Sequence, residues 1–453
     1  MINKKTLVLL SIILVPFIFT PHALSREIGK KDIIDLNLKK TIFIAYTNNR
    51  DIQIQEEEVA AARAELLGAV SEFLPKINLD TGYNYDAAVL NIGSRLPGSF
   101  DKDPGVASGY KNSNTFGFSA KETFYAGGAN IANCRKAAKE LKIQEEALRA
   151  KRLDIEYIAK LYYYQLLLAY ETERIMRNLV EQAEAHYKYV SDQYGQGTVS
   201  RFDLLQSKVH VSNTMPGLID AANQIDITKA EIKKLLAINM MYFVETDDRL
   251  EYSFIKVEEG KFLDYAYVYN PTMRLKKLGI DASRFGIRAA QAGHFPQVDG
   301  TANFLYRSSN LQNMFNYYHN KWTAGIQVTL PLYDGSETKA RIEEARARYA
   351  QANISKADYA EQIALDVKKA CLNMISARAL ILSQEDSIVE AREALRLSEV
   401  RYRTGVGINL DVLDAQVALS EVELNLARGI YDYLMARSFL DKTMGREYLE
   451  EAE

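Results

Sequence analysis

The chain states one pattern twice, and that repetition constrains its fold more than any other feature. Tyr194 through Leu205 align without a gap on Tyr402 through Leu413, 208 positions on. The same offset lays Phe124-Tyr125-Ala126-Gly127-Gly128 on Leu332-Tyr333-Asp334-Gly335-Ser336, so the stretches between the two motifs are equal and imply equal rods. Upstream, Phe73-Leu74-Pro75-Lys76 falls on His294-Phe295-Pro296-Gln297 at an offset of 221, which leaves 13 extra residues, read as a loop, between Pro75 and Tyr125. A length of 453 residues would otherwise suggest two or three domains; the repeat predicts one interlocked body.

The rods are legible in composition. Gly128 to Tyr194 and Ser336 to Tyr402 run without a proline and are rich in Ala, Glu, Lys, Arg and Leu, which favours helix. At 1.5 Å per residue each would be about 100 Å long, far beyond an ordinary globular helix. Apolar residues recur three and four apart, as at Ile342, Ala345, Tyr349, Ala352 and Ile354, then Ile363, Leu365, Val367, Ala370, Leu372 and Ile375, a seam for lateral packing. Each rod ends in a glycine turn, at Gly195 and Gly197 or Gly405 and Gly407, before a shorter return helix. Pro216 predicts a kink in the first return helix.

Ahead of each rod the period changes to two. Ile77, Leu79, Thr81, Tyr83 and Tyr85 alternate with polar residues, and Val298, Gly300, Ala302, Phe304 and Tyr306 repeat them. Trp322, Ala324, Ile326, Val328 and Leu330 form a third such strand, and Phe116, Phe118 and Ala120 mark the fourth. Aromatics gather at Tyr83, Tyr85, Phe116, Phe304, Tyr306 and Trp322, as in the interface belt of membrane barrels. Two soluble amphipathic hairpins would show the same alternation. Four strands cannot close a barrel, and an open edge in lipid leaves backbone groups unpaired. Three copies sharing one wall would supply 12 strands and six rods under cyclic symmetry.

The first 25 residues read as a secretory signal: Lys4 and Lys5, an apolar run from Leu7 to Phe19, then Ala23-Leu24-Ser25. An uncleaved anchor is the alternative. Beyond Ser25 no apolar run suffices for a membrane-spanning helix, so membrane contact is expected through strands. The net charge of -3, without a basic tract, excludes nucleic acid as an expected partner. Cys134 and Cys371 do not correspond in the repeat and are expected as small buried apolar residues rather than a disulfide.

These motifs together resemble the TolC family of outer-membrane efflux and secretion channels, over nearly the whole mature chain. The resemblance rests on Asn270-Pro271, His294-Phe295-Pro296-Gln297, Leu330-Pro331-Leu332-Tyr333-Asp334-Gly335, and Tyr402 through Ala415. It implies a homotrimer of mixed α and β class, whose 12-stranded outer-membrane β-barrel continues into an α-helical tunnel across the periplasm. It also implies a periplasmic adaptor protein, contacting the tip turns and joining the tunnel to an inner-membrane pump. By resemblance Asp411 and Asp414 ring the entrance, while Asp203 and Tyr402 belong to a clasp that holds it shut. Spacing alone places Asp411 and Asp414 on one helix face, though a carboxylate in a first helical turn also suits the macrodipole. Ser200 three residues before Asp203 suggests a capping box. Two departures stand out: Gly407 where a basic clasp residue is expected, and Asn49-Arg50 where the first half should read Asn-Pro.

The expected division is a signal peptide over 1–25, a first repeat over 26–240, a second over 241–443 and a tail over 444–453. Within the repeats, β-hairpins are expected at about 76–124 and 297–331 and long helices at 128–194 and 336–402. Tip turns at 195–200 and 403–409 then lead to return helices at 201–239 and 410–443. No catalytic centre, cofactor loop or metal-ligand spacing is legible; His186, His210, His294 and His319 are scattered as packing or surface residues. A passive exit duct for drugs, toxic small molecules or exported proteins is the leading expectation. A non-conducting coiled-coil spacer or surface scaffold is the alternative, and a secreted enzyme has no constellation to support it.

Overall fold

The computed structural model describes residues 33–85, 112–308, 315 and 320–447. The expected signal segment, the loop after Tyr85 and the last residues of the tail lie outside the described residues. The first half consists of β1 (Ile33–Asp35), α1 (Leu38–Asn48), α2 (Arg50–Ser71), β2 (Lys76–Tyr85), β3 (Asn112–Ala126), α3 (Ala129–Gly195) and α4 (Arg201–Leu235). The second consists of β4 (Phe243–Glu245), α5 (Glu259–Tyr269), α6 (Pro271–Gln291), a short 3-10 turn, β5 (Gln297–Ser308), β6 (Asn320–Thr329), α7 (Glu337–Arg403) and α8 (Asn409–Met444). Both rods, α3 and α7, are 67 residues long. The helix α4 runs through Pro216 and ends at Leu235, four residues short of the expected Asn239.

Helix entry follows the same chemistry in both halves. Asn270 caps α6, its Oδ1 accepting from the Met273 N–H at 3.0 Å while its Nδ2 donates to the Thr443 carbonyl at 2.8 Å. Asn49 does the same for α2, accepting from the Asp51 N–H and donating to the Leu235 carbonyl, each at 2.9 Å. The departure at Arg50 leaves this role intact, because the first helical position needs no backbone donor and proline is only favoured there.

Each rod has two zones of partners. The tip half of α3 packs on α4 and that of α7 on α8, while the halves nearer the sheet are flanked by α2 and α6. On α7 the covered stripe is Ile363, Val367, Ala370, Cys371, Met374, Ala377 and Ile381. Each large side chain in it contributes roughly 1.5–3 kcal/mol. Leu365, Leu372 and Ile375, expected in the same seam, are exposed on another face. The reason is geometric: Ile363 and Leu365 are two apart, about 200° around a helix, and cannot both face α8. The rod therefore carries two apolar faces, one of them uncovered in a single chain. Cys371 is buried and Cys134 partly so, and both are free thiols.

A belt crosses the rods at mid-height. The strands β1 and β4 pair in parallel, and the segment that follows β4 packs on α7 and α8. There the Tyr433 hydroxyl donates to the Ser253 carbonyl at 3.2 Å and accepts from the Ile255 N–H at 2.9 Å. Beneath the belt Glu156 and Lys160 form a buried ion pair at 2.7 Å, and the Tyr46 hydroxyl donates to Glu156 at 2.6 Å. These partners offset the desolvation that an isolated buried charge would incur.

At the far end lies one antiparallel sheet of order β2-β3-β5-β6. The row Leu79, Phe118, Phe304, Trp322 runs straight across it, and Thr81, Phe116, Tyr306, Asn320 form the next row outward. These rows belong to the apolar face, where Trp322 is 76% and Ile326 73% exposed. The opposite face is polar: the Ser119 hydroxyl donates to Asp80 at 2.5 Å, and the Thr123 hydroxyl to Asp299 at 2.7 Å. Among the described residues the outer strands β2 and β6 each pair on one side only.

Candidate functional site

The two hairpins α3/α4 and α7/α8 end side by side, and the expected site residues all fall there. At the first turn only Gly197 adopts a left-handed conformation, φ +73°, while Gly195 closes α3. At the second, Gly405 has φ +76°, and the N–H groups of Val406 and Gly407 both donate to the Arg401 carbonyl at 2.9 Å. Gly407 serves differently from expectation. A Cβ there would lie 3.0 Å from the Arg401 Cβ and 3.1 Å from its backbone, so the turn folds onto the rod because no side chain intervenes.

Ser200 and Asp203 form the capping box. The Asp203 N–H donates to the Ser200 hydroxyl oxygen at 3.1 Å, the Ser200 N–H donates to the Asp203 carboxylate at 3.3 Å, and the hydroxyl donates to it at 2.7 Å. Tyr402 lies near enough for the Asp203 charge to help raise its phenol pKa, after the larger effect of burial. Its hydroxyl makes no hydrogen bond among the described residues. The expected clasp pair is therefore adjacent but not bonded in one chain. Asp411 is half-buried in the first turn of α8, and Asp414, one turn on, is exposed.

A polar hub that sequence reasoning missed joins the hairpins. Asn409, 2% exposed, donates through Nδ2 to the Gln206 side chain at 3.0 Å and the Asp203 carbonyl at 3.4 Å. Its Oδ1 accepts from the Ser207 hydroxyl at 3.2 Å and lies 2.7 Å from Nε2 of His186. That oxygen can only accept, so the His186 proton sits on Nε2. The Tyr402 ring packs 5.3 Å from His186 and 6.3 Å from Tyr189. In sequence Asn409 reads as an ordinary helix-start residue, and nothing local marks it as the link to α3 and α4.

Burial lowers the pKa of both His186 and His210; Asn409 and Glu399 oppose this at His186 and Arg403 adds to it, while Gln416 and Asp414 oppose it at His210 and His186 adds to it. Both imidazoles therefore bind a proton less readily in the folded protein than in an unfolded chain, where protons bind near pH 6.5. Folded values below unfolded ones mean that stability is lost as pH falls through about 6.5 and is unaffected above it. Thermal unfolding in detergent is expected to reach its midpoint earlier at pH 5 than at pH 7, with the difference reduced in His186→Gln with His210→Gln. An unchanged pH slope in that variant refutes the assignment.

The Outer membrane efflux protein family matches residues 42–237 and 263–446, both rods and both return helices included. The chain belongs to that family. It is 23% identical over 419 residues to the outer membrane protein TolC of Vibrio cholerae, covering 88% of this chain and 89% of that protein. It is 22% identical to the alkaline protease secretion protein AprF of Pseudomonas aeruginosa, where the match covers 67% of this chain and 63% of AprF. Among solved structures, the CmeC outer membrane channel of Campylobacter jejuni superposes with a TM-score of 0.79 at 17% identity, over 91% of this chain and 86% of CmeC.

Membership places the chain in the outer membrane, among channels for efflux and secretion. Relatives of this kind are transport proteins rather than enzymes. A non-conducting spacer is not favoured. No helix among the described residues is long and apolar enough to cross a membrane.

Proposed function

We propose that the chain works as a passive trimeric exit duct, each copy lending four strands to a 12-stranded barrel and two rods to a periplasmic tunnel. One observation carries the reading: a sheet with one apolar and one polar face whose outer strands, β2 and β6, each lack a neighbour on one side among the described residues. In hydrocarbon such edges must be paired, and closing the sheet with further copies turns the polar face onto a water-filled lumen. The second apolar face of α7, with Leu365, Leu372 and Ile375, fits the same assembly. The internal repeat gives a trimer six near-equivalent rods.

At the tip Asp411 and Asp414 supply six carboxylates around the entrance and favour cations. The clasp draws on Tyr402 and Asp203, adjacent but not bonded within one chain, with the Asn409 hub beside them. Exposed Val406 and the glycine turns are the surface offered to a periplasmic adaptor, through which an inner-membrane pump delivers small toxic molecules or exported proteins. The duct needs no cofactor, and no energy source of its own. Purified protein in a planar lipid bilayer is expected to give discrete single-channel currents; a trimer that inserts and stays electrically silent, with and without adaptor, overturns the reading.

A further inference from the structure

The two sequence offsets fix more than the existence of a repeat. Within the first hairpin Lys76 pairs with Lys121 and Tyr83 with Asn114; within the second Gln297 pairs with Thr329 and Phe304 with Trp322. Each pair of the first hairpin lands on a pair of the second when β2 is moved onto β5 and β3 onto β6. The offsets therefore describe hydrogen-bond register as well as resemblance. The seam between the hairpins is β3 against β5, with Phe116 opposite Tyr306, Phe118 opposite Phe304 and Ala120 opposite Ala302. Advancing that seam by one repeat replaces β3 by β6 and β5 by β2, the two strands that pair on one side only among the described residues.

We infer that β6 of one copy pairs antiparallel with β2 of the next copy of this chain in one register: Ala324 opposite Tyr85, Ile326 opposite Tyr83 and Val328 opposite Thr81. This rests on the trimeric reading given under Proposed function and specifies the seam that closes it. Faces agree in this register, since all six residues lie on the apolar side of the sheet. A slip of one residue would turn every side chain of β2 to the wrong side. A slip of two keeps the faces, and is opposed by the junction below the sheet.

There Gly127, φ +61°, nests so closely that a Cβ would come 2.4 Å from the Ala292 carbonyl oxygen and 2.8 Å from the Phe295 Cβ. At its counterpart Gly335, φ +68°, a Cβ would meet nothing within 4 Å among the described residues. Moved by one repeat, the receiving residues are Ser71 and Leu74 of the next copy, and a left-handed glycine stands ready for them. Sheet register and junction thus have to be satisfied together, and a two-residue slip, about 7 Å along the strand, satisfies only one. Because each copy offers β6 at one edge and β2 at the other, the contact is head-to-tail and closes as a ring.

Cysteine pairs test the register in outer membranes, in a background carrying Cys134→Ala and Cys371→Ala. Directly opposite residues bring Cβ atoms to about 5 Å, whereas diagonal neighbours stand about 7–8 Å apart, beyond easy disulfide reach. Ile326→Cys with Tyr83→Cys is expected to run as covalent trimer on a denaturing gel after mild oxidation, and Val328→Cys with Thr81→Cys should do so independently. Ile326→Cys with Thr81→Cys, or with Tyr85→Cys, should give several-fold less. Covalent trimer that favours a slipped pair overturns the register while conducting channels leave the duct standing; a folded protein that remains monomeric in detergent overturns both.

Discussion

Converting Asp411 and Asp414 together to asparagine is expected to abolish the cation preference of the single-channel current. The two carboxylates are three residues apart at the start of α8, and the residues between them, Val412 and Leu413, are buried against the rest of the tip. That burial fixes the helix's rotation, so the aspartates are held away from the core on the remaining face. In the proposed trimer three copies gather six like charges at the entrance, and a charged rim with low-dielectric walls concentrates counter-ions on the order of tenfold or more. Asparagine keeps the size and removes the charge. Reversal potentials under a salt gradient should therefore shift toward zero in the double variant, with each single variant between. Reversal potentials that match the unmodified protein would falsify the acidic constriction without touching the barrel.

The second large effect is expected at two adjacent glycines where the sheet becomes a rod. In Gly127→Ala the new methyl meets a backbone carbonyl at 2.4 Å and a side-chain carbon at 2.8 Å, in a left-handed conformation that alanine resists. Clash and strain together should cost about 3 kcal/mol or more. Gly128 is also left-handed, at φ +87°, yet a Cβ there meets nothing, and its repeat counterpart Ser336 adopts φ +73° with a side chain in place. Gly128→Ala should therefore cost only about 1 kcal/mol. Thermal unfolding in detergent separates the two: Gly127→Ala should fail to assemble or melt far earlier, while Gly128→Ala stays close to the parent. Equal melting of both would show that the junction is looser than these contacts demand.

The rods, strands and turns were legible because each depends on local periodicity, and Asn270-Pro271 announced its helix in the same way. The capping box was legible for the same reason, since Ser200 and Asp203 satisfy one another within a single turn. What escaped was everything set by which rod lies against which. Leu365 and Ile363 look alike in sequence, and only the position of α8 decides which is covered. Asn409 likewise gives no warning, because its four partners come from α3 and α4, more than two hundred residues earlier. In sequence the tip glycines look equivalent, whereas Gly197 and Gly405 supply backbone conformation and Gly407 supplies room.

The matched length of α3 and α7 restricts how such a chain can change. Deleting one residue from α3 alone would turn everything beyond it by about 100° and draw it back by 1.5 Å, tearing its tip from Asn409. Insertions and deletions in the rods are therefore tolerable only in matched pairs and in near-whole numbers of turns, so the reach of the tunnel evolves in coarse, synchronised steps.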